Sequence, residues 1–264
     1  MKRQYLRSLL GAAAVTTLMV PVSSAQQTST TNDPRVGLKA GLYDAGVAAK
    51  GMQLVAHRNK PDVFHPNDPG GLTYANSDLA FSGKYLYQGN FSGFQVWDIS
   101  NPAAPSLTNA TTCWTEQGDP SVYRNLLFLS SEDRGGRLDC SAEGVKDAVS
   151  KERLLGIRIY DISDPAHPRA VANVQTCRGS HTHTIYPDPK DPGIVYVYVS
   201  GLAPVRSPSE MAECVTAGGV TDPNSALFRV EIIRVPVAHP EQAKIVSTAR
   251  IFSDLVAPAT HGVA

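Results

Sequence analysis

The chain has 264 residues, with 24 basic and 24 acidic side chains and four cysteines. Outside the first 25 residues, which hold three basic groups and no acidic ones, 21 basic side chains stand against 24 acidic ones. Binding to a nucleic-acid backbone needs a basic surface, and the chain has no run of lysine and arginine. The charge balance therefore argues against a nucleic-acid partner.

Residues 1–25 have the three parts of a signal peptide. Lys2, Arg3 and Arg7 form a basic start, an apolar stretch follows, and Ser23-Ser24-Ala25 is a small-residue cleavage site. The apolar part is too short to span a bilayer, and no second apolar stretch follows, so no transmembrane segment is expected after cleavage. We expect export to the periplasm, the cell surface or the medium. Either the general secretory or the twin-arginine route would fit. Residues 26–50 are predicted to be a flexible tether.

Two later stretches of the chain are nearly identical in pattern. Residues 93–105 and 156–168 both contain alternating apolar residues followed by Asp-Ile-Ser and then Asn-Pro or Asp-Pro. Because a repeat indicates stacked copies of one supersecondary unit, this feature decides the predicted architecture.

Each copy lies inside a predicted unit of four strands. Apolar segments split by Ser82-Gly83-Lys84 and by Arg124-Asn125 predict a hairpin before each copy, and one further strand follows it. A third, divergent unit has Pro236 to Pro240 in place of the acidic turn. The units span about residues 76–113, 118–177 and 181–249. An isolated strand is also predicted at residues 52–56.

The Asp-Ile-Ser-Asx-Pro segment predicts a strand end followed by a turn. Asp98 and Asp161 are expected to accept hydrogen bonds from turn amides, and the prolines stop further ladder pairing. The residues before each aspartate alternate between apolar and other types. This pattern predicts one buried face, with the other face toward a neighbouring sheet or solvent.

Asp98 and Asp161 are 63 residues apart, whereas propeller blades usually repeat every 40 to 50 residues, roughly. The excess is explained by polar insertions at residues 132–155 and 201–225, both between the second and third strands of a unit. Insertions at one edge of a repeat array are expected to build a shared rim.

These units resemble the LVIVD-repeat family of bacterial secreted or surface-associated proteins. Phe94 to Asp98 and Ile157 to Asp161 correspond to the strand after which the family is named, and the resemblance extends weakly into the third unit. The resemblance implies a β-propeller and no settled activity. The predicted fold class is therefore all-β, a propeller of four-stranded antiparallel blades with about three blades, formed by residues 51–264.

Three blades do not close a ring that takes roughly four to eight. The expectation is that this sequence is the N-terminal part of a longer protein. The alternative is a half-propeller that closes by pairing with a second copy.

Four cysteines in an exported chain are expected to form disulfides. Three connectivities are open. Cys113 and Cys177 end equivalent strands, and Cys140 and Cys214 lie in equivalent insertions. Repeat logic therefore favours Cys113–Cys140 and Cys177–Cys214, each holding an insertion on its own blade.

His181 and His183 are the candidate metal ligands. Residues two apart in a strand point the same way, so both imidazoles could face one divalent ion in the central channel. Further ligands would have to come from His57, His65, His261 or Asp119. The alternative is that both histidines bind backbone carbonyls at the channel mouth.

The chain has no nucleophile elbow, no His-Glu-x-x-His motif and no phosphate-binding loop, so no catalytic residue is predicted. The favoured interpretation is a secreted or cell-surface scaffold whose rim loops bind a protein or glycan. The alternative is a propeller hydrolase or lyase that uses a channel metal, and a purely structural role in the envelope is a third possibility. Whether the protein is an enzyme stays open, because propellers include both enzymes and binding proteins.

Overall fold

A computed structural model describes residues 33–41, 44–64, 75–132, 135–216 and 222–250. The predicted signal peptide lies outside these residues. The chain divides into two units, residues 1–54 and 55–264, and all strands found among the described residues belong to the second. The strand predicted at residues 52–56 was wrong. Met52, Leu54 and Val55 are mostly exposed, so the apolar run has no core to enter.

Twelve strands form three separate four-stranded antiparallel sheets, which we call blades 1 to 3. Blade 1 has β1 (Asn76–Ser82), β2 (Tyr85–Asn90), β3 (Gly93–Asp98) and β4 (Ser106–Thr112). Blade 2 has β5 (Pro120–Tyr123), β6 (Leu126–Ser131), β7 (Gly156–Asp161) and β8 (Arg169–Gln175). Blade 3 has β9 (Thr182–Pro187), β10 (Ile194–Ser200), β11 (Val230–Pro236) and β12 (Lys244–Ala249).

The predicted fold class is confirmed. The helices of the described residues are two short 3-10 turns, Asp62–Phe64 and Pro240–Gln242. Within each blade the strands follow chain order from first to fourth, because hairpins join consecutive strands. No ladder joins one blade to another among the named strands, so the three blades are separate sheets that meet through their side chains.

The acidic turns form as predicted. Asp98 Oδ1 accepts a hydrogen bond from the Ser100 amide at 2.9 Å, and Asp161 Oδ1 accepts one from the Ser163 amide at 2.9 Å. The hydrogen bond from Lys84, together with those from Ser100, lowers the pKa of Asp98 to about 2. The bonds from Ser163 likewise lower the pKa of Asp161. Asp98 is thus kept ionised by Lys84 and its own turn, and Asp161 chiefly by its own turn.

Packing between blades explains the burial of the third strands. In β7, Ile157 and Ile159 pack against blade 3, whereas Tyr160 packs against blade 1. The ring of Phe94 meets that of Tyr160 edge-on at a centroid distance of 4.9 Å. Both faces of β7 are therefore buried. One face meets blade 3 and the other meets blade 1.

Glycine is required at the start of the third strand in the two similar repeats. Gly93 and Gly156 have φ values of +147° and +144°. A Cβ atom would lie 1.9 Å from the Thr111 carbonyl oxygen at Gly93 and 2.0 Å from the Val174 carbonyl oxygen at Gly156. The third and fourth strands can approach this closely only because no side chain stands between them.

Gly156→Ala is therefore expected to lower the free energy of unfolding by about 3 kcal/mol, since the strained φ and the clash add. Urea denaturation followed by far-ultraviolet circular dichroism would measure the change. Gly83→Ala is the matched control, because Gly83 has φ +57° but nothing within 4 Å of its Cβ position, and about 1 kcal/mol is expected there. Equal losses in both variants would contradict the steric argument.

Because neighbouring strands are antiparallel, the two ends of each blade carry different segments. The Asp98 and Asp161 turns, between third and fourth strands, lie at one end, which we call the turn face. At the opposite end lie the insertions between second and third strands, the connections between blades, and the starts of β1, β5 and β9. We call this end the insertion face.

Candidate functional site

The first insertion is held by a buried arginine of the strand that follows it. Arg158, which is 1% exposed, donates from Nη1 to the Leu138 carbonyl at 2.8 Å and from Nη2 to the Arg137 carbonyl at 2.6 Å. Burial lowers the pKa of Arg158. An arginine inside the blade thus donates hydrogen bonds to carbonyl groups of the loop. Among the described residues of this loop, strand pairing is limited to the isolated bridge between Arg137 and Arg153.

The second insertion is held by the connection between blades 2 and 3. Arg178 donates from Nε to the Ala203 carbonyl at 2.8 Å and from Nη2 to the Leu202 carbonyl at 2.9 Å. The Arg206 amide donates to the Cys177 carbonyl at 3.0 Å. The start of this insertion is therefore fixed to the blade 2 to blade 3 connection.

The structure contains two disulfides, Cys113–Cys140 and Cys177–Cys214, and its described residues include no free cysteine. The prediction that each bridge stays within one blade was wrong. Cys113 follows the last strand of blade 1, and its partner lies in the insertion of blade 2. Cys177 follows the last strand of blade 2, and its partner lies in the insertion of blade 3. Each disulfide therefore ties one blade to the next.

A buried ionic cluster joins the two insertions to each other. Glu210 of the second insertion accepts hydrogen bonds from Arg153 Nε at 3.2 Å and from Arg206 Nε at 2.9 Å. It also accepts one from the Ser150 amide at 2.6 Å. The three charged side chains are 4%, 2% and 1% exposed for Arg153, Arg206 and Glu210. Two loops that are 60 residues apart in sequence therefore form one connected rim.

The pKa of Glu210 reflects two opposing effects. Burial by itself would raise this pKa, but the hydrogen bonds from Ser150, Arg153 and Arg206 outweigh burial and lower it. The carboxylate thus remains ionised between two guanidinium groups, and the cluster keeps its charge pairing over the neutral range.

A pocket of about 490 Å³ opens on the insertion face, where the first strands of all three blades begin. Its lining residues are Ser77, Asp78, Leu79, Asp119, Pro120, Ser121, Thr182 and His183. Consecutive blades present their first strands to the same space, as expected for the inner strands of a propeller. This pocket is the candidate functional site.

The two candidate metal ligands have separate partners at this pocket. His181 Nδ1 lies 2.5 Å from Glu132 Oε1, and His183 Nδ1 lies 2.8 Å from Ser130 Oγ. Ser130 Oγ also lies 2.8 Å from Ser180 Oγ. Ser130 and Ser180 are fully buried, so the Ser130–His183 hydrogen bond links β6 to β9 beneath the pocket wall.

Within the described ranges, no three His, Cys, Asp or Glu side chains stand close enough to hold one metal ion. The alternative prediction, binding to backbone carbonyls, does not describe the Nδ1 atoms of these histidines, because both have side-chain partners. Asp119 lies near His181, which acts against the burial that raises the pKa of Asp119. His65 and His261 lie outside the described residues. The metal site stays a prediction.

Asp119 is 9% exposed and lies in the pocket wall. Burial is the largest influence on its pKa, which is raised. A hydrogen bond from Thr182 and the charge of His181 act in the opposite direction, and the negative charges of Asp78 and Glu132 act with burial. The pocket thus concentrates carboxylates whose mutual repulsion is only partly offset.

Stability is expected to depend on His183 between pH 6.5 and 4, since burial lowers the pKa of this histidine from 6.5 to about 4. The unfolded chain then binds more protons than the folded one in this window, so the free energy of unfolding falls on acidification. The loss is at most about 3 kcal/mol, at 1.36 kcal/mol per pH unit. Thermal denaturation across this range, in buffer with EDTA, would measure it.

His183→Asn is expected to flatten this pH dependence, whereas His167→Asn, at an exposed turn, is the control and should leave it unchanged. An identical slope in the wild type and in His183→Asn would contradict the assignment.

Sequence reasoning missed the partners that define the pocket and the rim. Sequence patterns place Glu132, Arg153, Arg206 and Glu210 in the two insertions but do not predict their partners. No sequence signal marks them, because their contacts join segments of different blades.

A second cavity, of about 630 Å³, lies on the turn face between blades 2 and 3. Its charged lining includes Asp161 and Arg169, which bind each other at 2.8 Å. Since Asp161 is already committed to its own turn, this cavity has no comparable set of unsatisfied groups.

The described part of the chain has no helix of the length and apolar character needed to cross a membrane. Sequence comparison with curated proteins gives no match. Among solved structures, the crystal structure of the computationally designed Ika4 protein is similar, with 13% sequence identity, coverage of 76% of this chain and 80% of that chain, and a TM-score of 0.36.

Two segments match the family model of the LVIVD repeat, residues 75–112 and 155–176. The first covers all four strands of blade 1, and the second covers β7 and β8 of blade 2. Both include the strand, glycine and acidic turn on which the resemblance rested. The chain therefore contains LVIVD repeats in blades 1 and 2, and its described part has a β-propeller-like fold of four-stranded blades.

Proposed function

We propose that this is an exported or cell-surface scaffold that binds a protein or glycan partner through the rim of its insertion face. One observation carries the proposal: both insertions are fastened to the blades and to each other, through two disulfides and the Arg153–Glu210–Arg206 cluster. Such fastening is unusual for loops that serve only as connections, which typically tolerate change.

A fixed rim favours binding for a thermodynamic reason. Association requires loops and side chains at an interface to become ordered, at about 0.5–1.5 kcal/mol for each immobilised side chain. Loops that are already ordered avoid much of this loss. The rim also presents exposed apolar side chains, Val149 at 47% and Leu202 at 62% exposure, which are suited to contacts with a partner.

The disulfides support the location. The chain has two cysteine pairs at bonding distance. Disulfides persist in oxidising compartments and are rare in the bacterial cytosol. Together with the predicted signal peptide, they favour a protein that acts outside the cytoplasm, where a partner at the cell envelope would be met.

Site-specific photo-crosslinking in cells that produce the protein would test the proposal. A photoreactive residue at Val149 or Leu202 on the insertion face is expected to give a defined covalent adduct. The matched controls are Ala103 and Ala238, which are exposed on the turn face and should give none. Fractionation of the same cells would place the adduct in the envelope or the medium.

Adducts of equal yield from both faces, or none from the insertion face, would overturn the proposal. Reduced and alkylated protein is a further control. If the rim must be preorganised, loss of both disulfides should abolish the insertion-face adduct.

A further inference from the structure

The pocket at the start of the first strands has an unbalanced charge. Asp78 and Asp119 lie in its wall, and none of its lining residues is lysine or arginine. Glu132 and His181, which bind each other, act on Asp119 in opposite directions, so the carboxylates of Asp78 and Asp119 decide the charge of the pocket. The pocket therefore attracts a cation.

Buried polar atoms beside the pocket lack hydrogen-bond partners among the described residues. Glu132 is 7% exposed. Its Oε1 binds His181, but its Oε2 is buried with no hydrogen-bond partner among the described residues. Ser77 Oγ and His183 Nε2, both in lining residues, are likewise buried and unpartnered within the described residues. Because an unsatisfied buried polar group costs about 1–3 kcal/mol, these atoms are an independent sign of a missing ligand.

The arrangement fits an organic cation better than a metal ion. A divalent metal needs several oxygen or nitrogen ligands within about 2.0 to 2.6 Å, and no three suitable side chains of the described residues meet that condition. An ammonium group instead donates three hydrogen bonds to acceptors spread around it. Asp78, Thr182 and Ser121 are at least partly exposed, so a ligand can enter from the insertion face.

We infer that this pocket binds a primary ammonium group, carried by a lysine side chain of the partner that docks on the rim. The Asp78 and Asp119 carboxylates accept its hydrogen bonds, with Glu132 as a nearby negative charge. The inference rests on the proposed function in one respect, namely that the insertion face is the face that meets the partner. A free alkylamine would offer the same chemistry.

Binding can be measured by nuclear magnetic resonance on the isotopically labelled oxidised protein, with n-butylammonium as the probe. Shifts are expected at Asp78, Asp119 and Thr182. Asp78→Asn alters an exposed residue, so folding is not at risk, and it should weaken binding about tenfold, as expected for loss of one charged hydrogen bond. Asp119→Asn should do the same. The charge-matched control is Glu241→Gln, on the turn face.

A second arm compares Nα-acetyl-lysine-N-methylamide with its norleucine analogue, which lacks the ammonium group. The lysine compound is expected to bind and the norleucine compound is not. Tighter binding of n-butylammonium than of the lysine compound would overturn the lysine assignment in favour of a free amine.

Absence of shifts with n-butylammonium, or wild-type affinity in both Asp78→Asn and Asp119→Asn, would overturn the inference. So would stoichiometric binding of Zn²⁺ or Mg²⁺ at these residues with exclusion of the amine, which would restore the metal prediction. Crosslinks from Val149 and Leu202 do not depend on this pocket, so failure of amine binding with intact rim crosslinks would reject the pocket and retain the proposed function.

Discussion

Glu210→Gln is expected to lower the free energy of unfolding by about 3 to 5 kcal/mol, because it leaves two buried guanidinium groups without a counter-charge. Arg153, Arg206 and Glu210 have side chains exposed by 4% or less, so water cannot replace the lost partner. The glutamine keeps the shape of the side chain, and the change therefore isolates the charge.

Chemical denaturation of the oxidised protein would measure this loss. Glu213→Gln, at an exposed position in the same insertion, is the control and should change stability by less than about 0.5 kcal/mol. A loss in Glu210→Gln as small as that expected for Glu213→Gln would mean that the cluster contributes no more than a surface ion pair. The proposed rim would then lack its main fastening.

Removal of the Cys177–Cys214 bridge by the double change Cys177→Ala and Cys214→Ala is expected to cost about 4 kcal/mol. The bridge closes 37 residues of chain, and the unfolded chain gains the corresponding loop entropy when the link is removed. Both sulfur atoms lie in a small core with Ala226, Val205 and Met211, so a small apolar replacement avoids burying an unpaired hydroxyl group.

The equivalent double change at Cys113 and Cys140 is the matched comparison. That bridge closes 27 residues, and the same chain-entropy relation gives about 3.5 kcal/mol. Urea denaturation of both double variants, with and without reductant, would measure the two losses. A double variant as stable as the wild-type oxidised protein would show that the bridge does not restrain the native blades.

Both predictions concern joints between blades. The disulfides join the end of one blade to the insertion of the next, and the ionic cluster joins one insertion to the other. A loss at either joint is expected to disturb the insertion face more than the strands, whose ladders and inter-blade cores lie elsewhere. Hydrogen exchange of the Cys177→Ala, Cys214→Ala protein would therefore show faster exchange in residues 201–216 first.

The repeat made most of the fold predictable. Four-stranded units, the hairpin turns and the role of Asp98 and Asp161 all follow from local patterns, because a turn or a strand depends on residues near each other in sequence. The same logic paired the cysteines by repeat position. The prediction of a strand from its apolar composition failed at residues 52–56, because this segment has no neighbouring strand to pair with among the described residues.

Contacts between blades could not be predicted in this way. Sequence patterns show that His181 and His183 face one side, but not that Glu132 and Ser130 stand opposite them. Nor could they show that each disulfide crosses to the next blade, since strand order in a unit says nothing of how units meet. The third unit, which lacks the acidic turn, nonetheless keeps the turn through a backbone bond from the Val237 amide to the Gly193 carbonyl at 2.8 Å.

The amino-acid sequence by itself determined the all-β class, the four-stranded unit, the acidic turns and the kinship with LVIVD repeats, because each depends on short-range pattern. Tertiary structure alone decided which side chains meet at the pocket and which insertion residues bind one another. It also decided that the pocket and the rim lie on the same face. These features depend on the packing of one blade against the next, where residues about 50 to 60 positions apart come within hydrogen-bond distance.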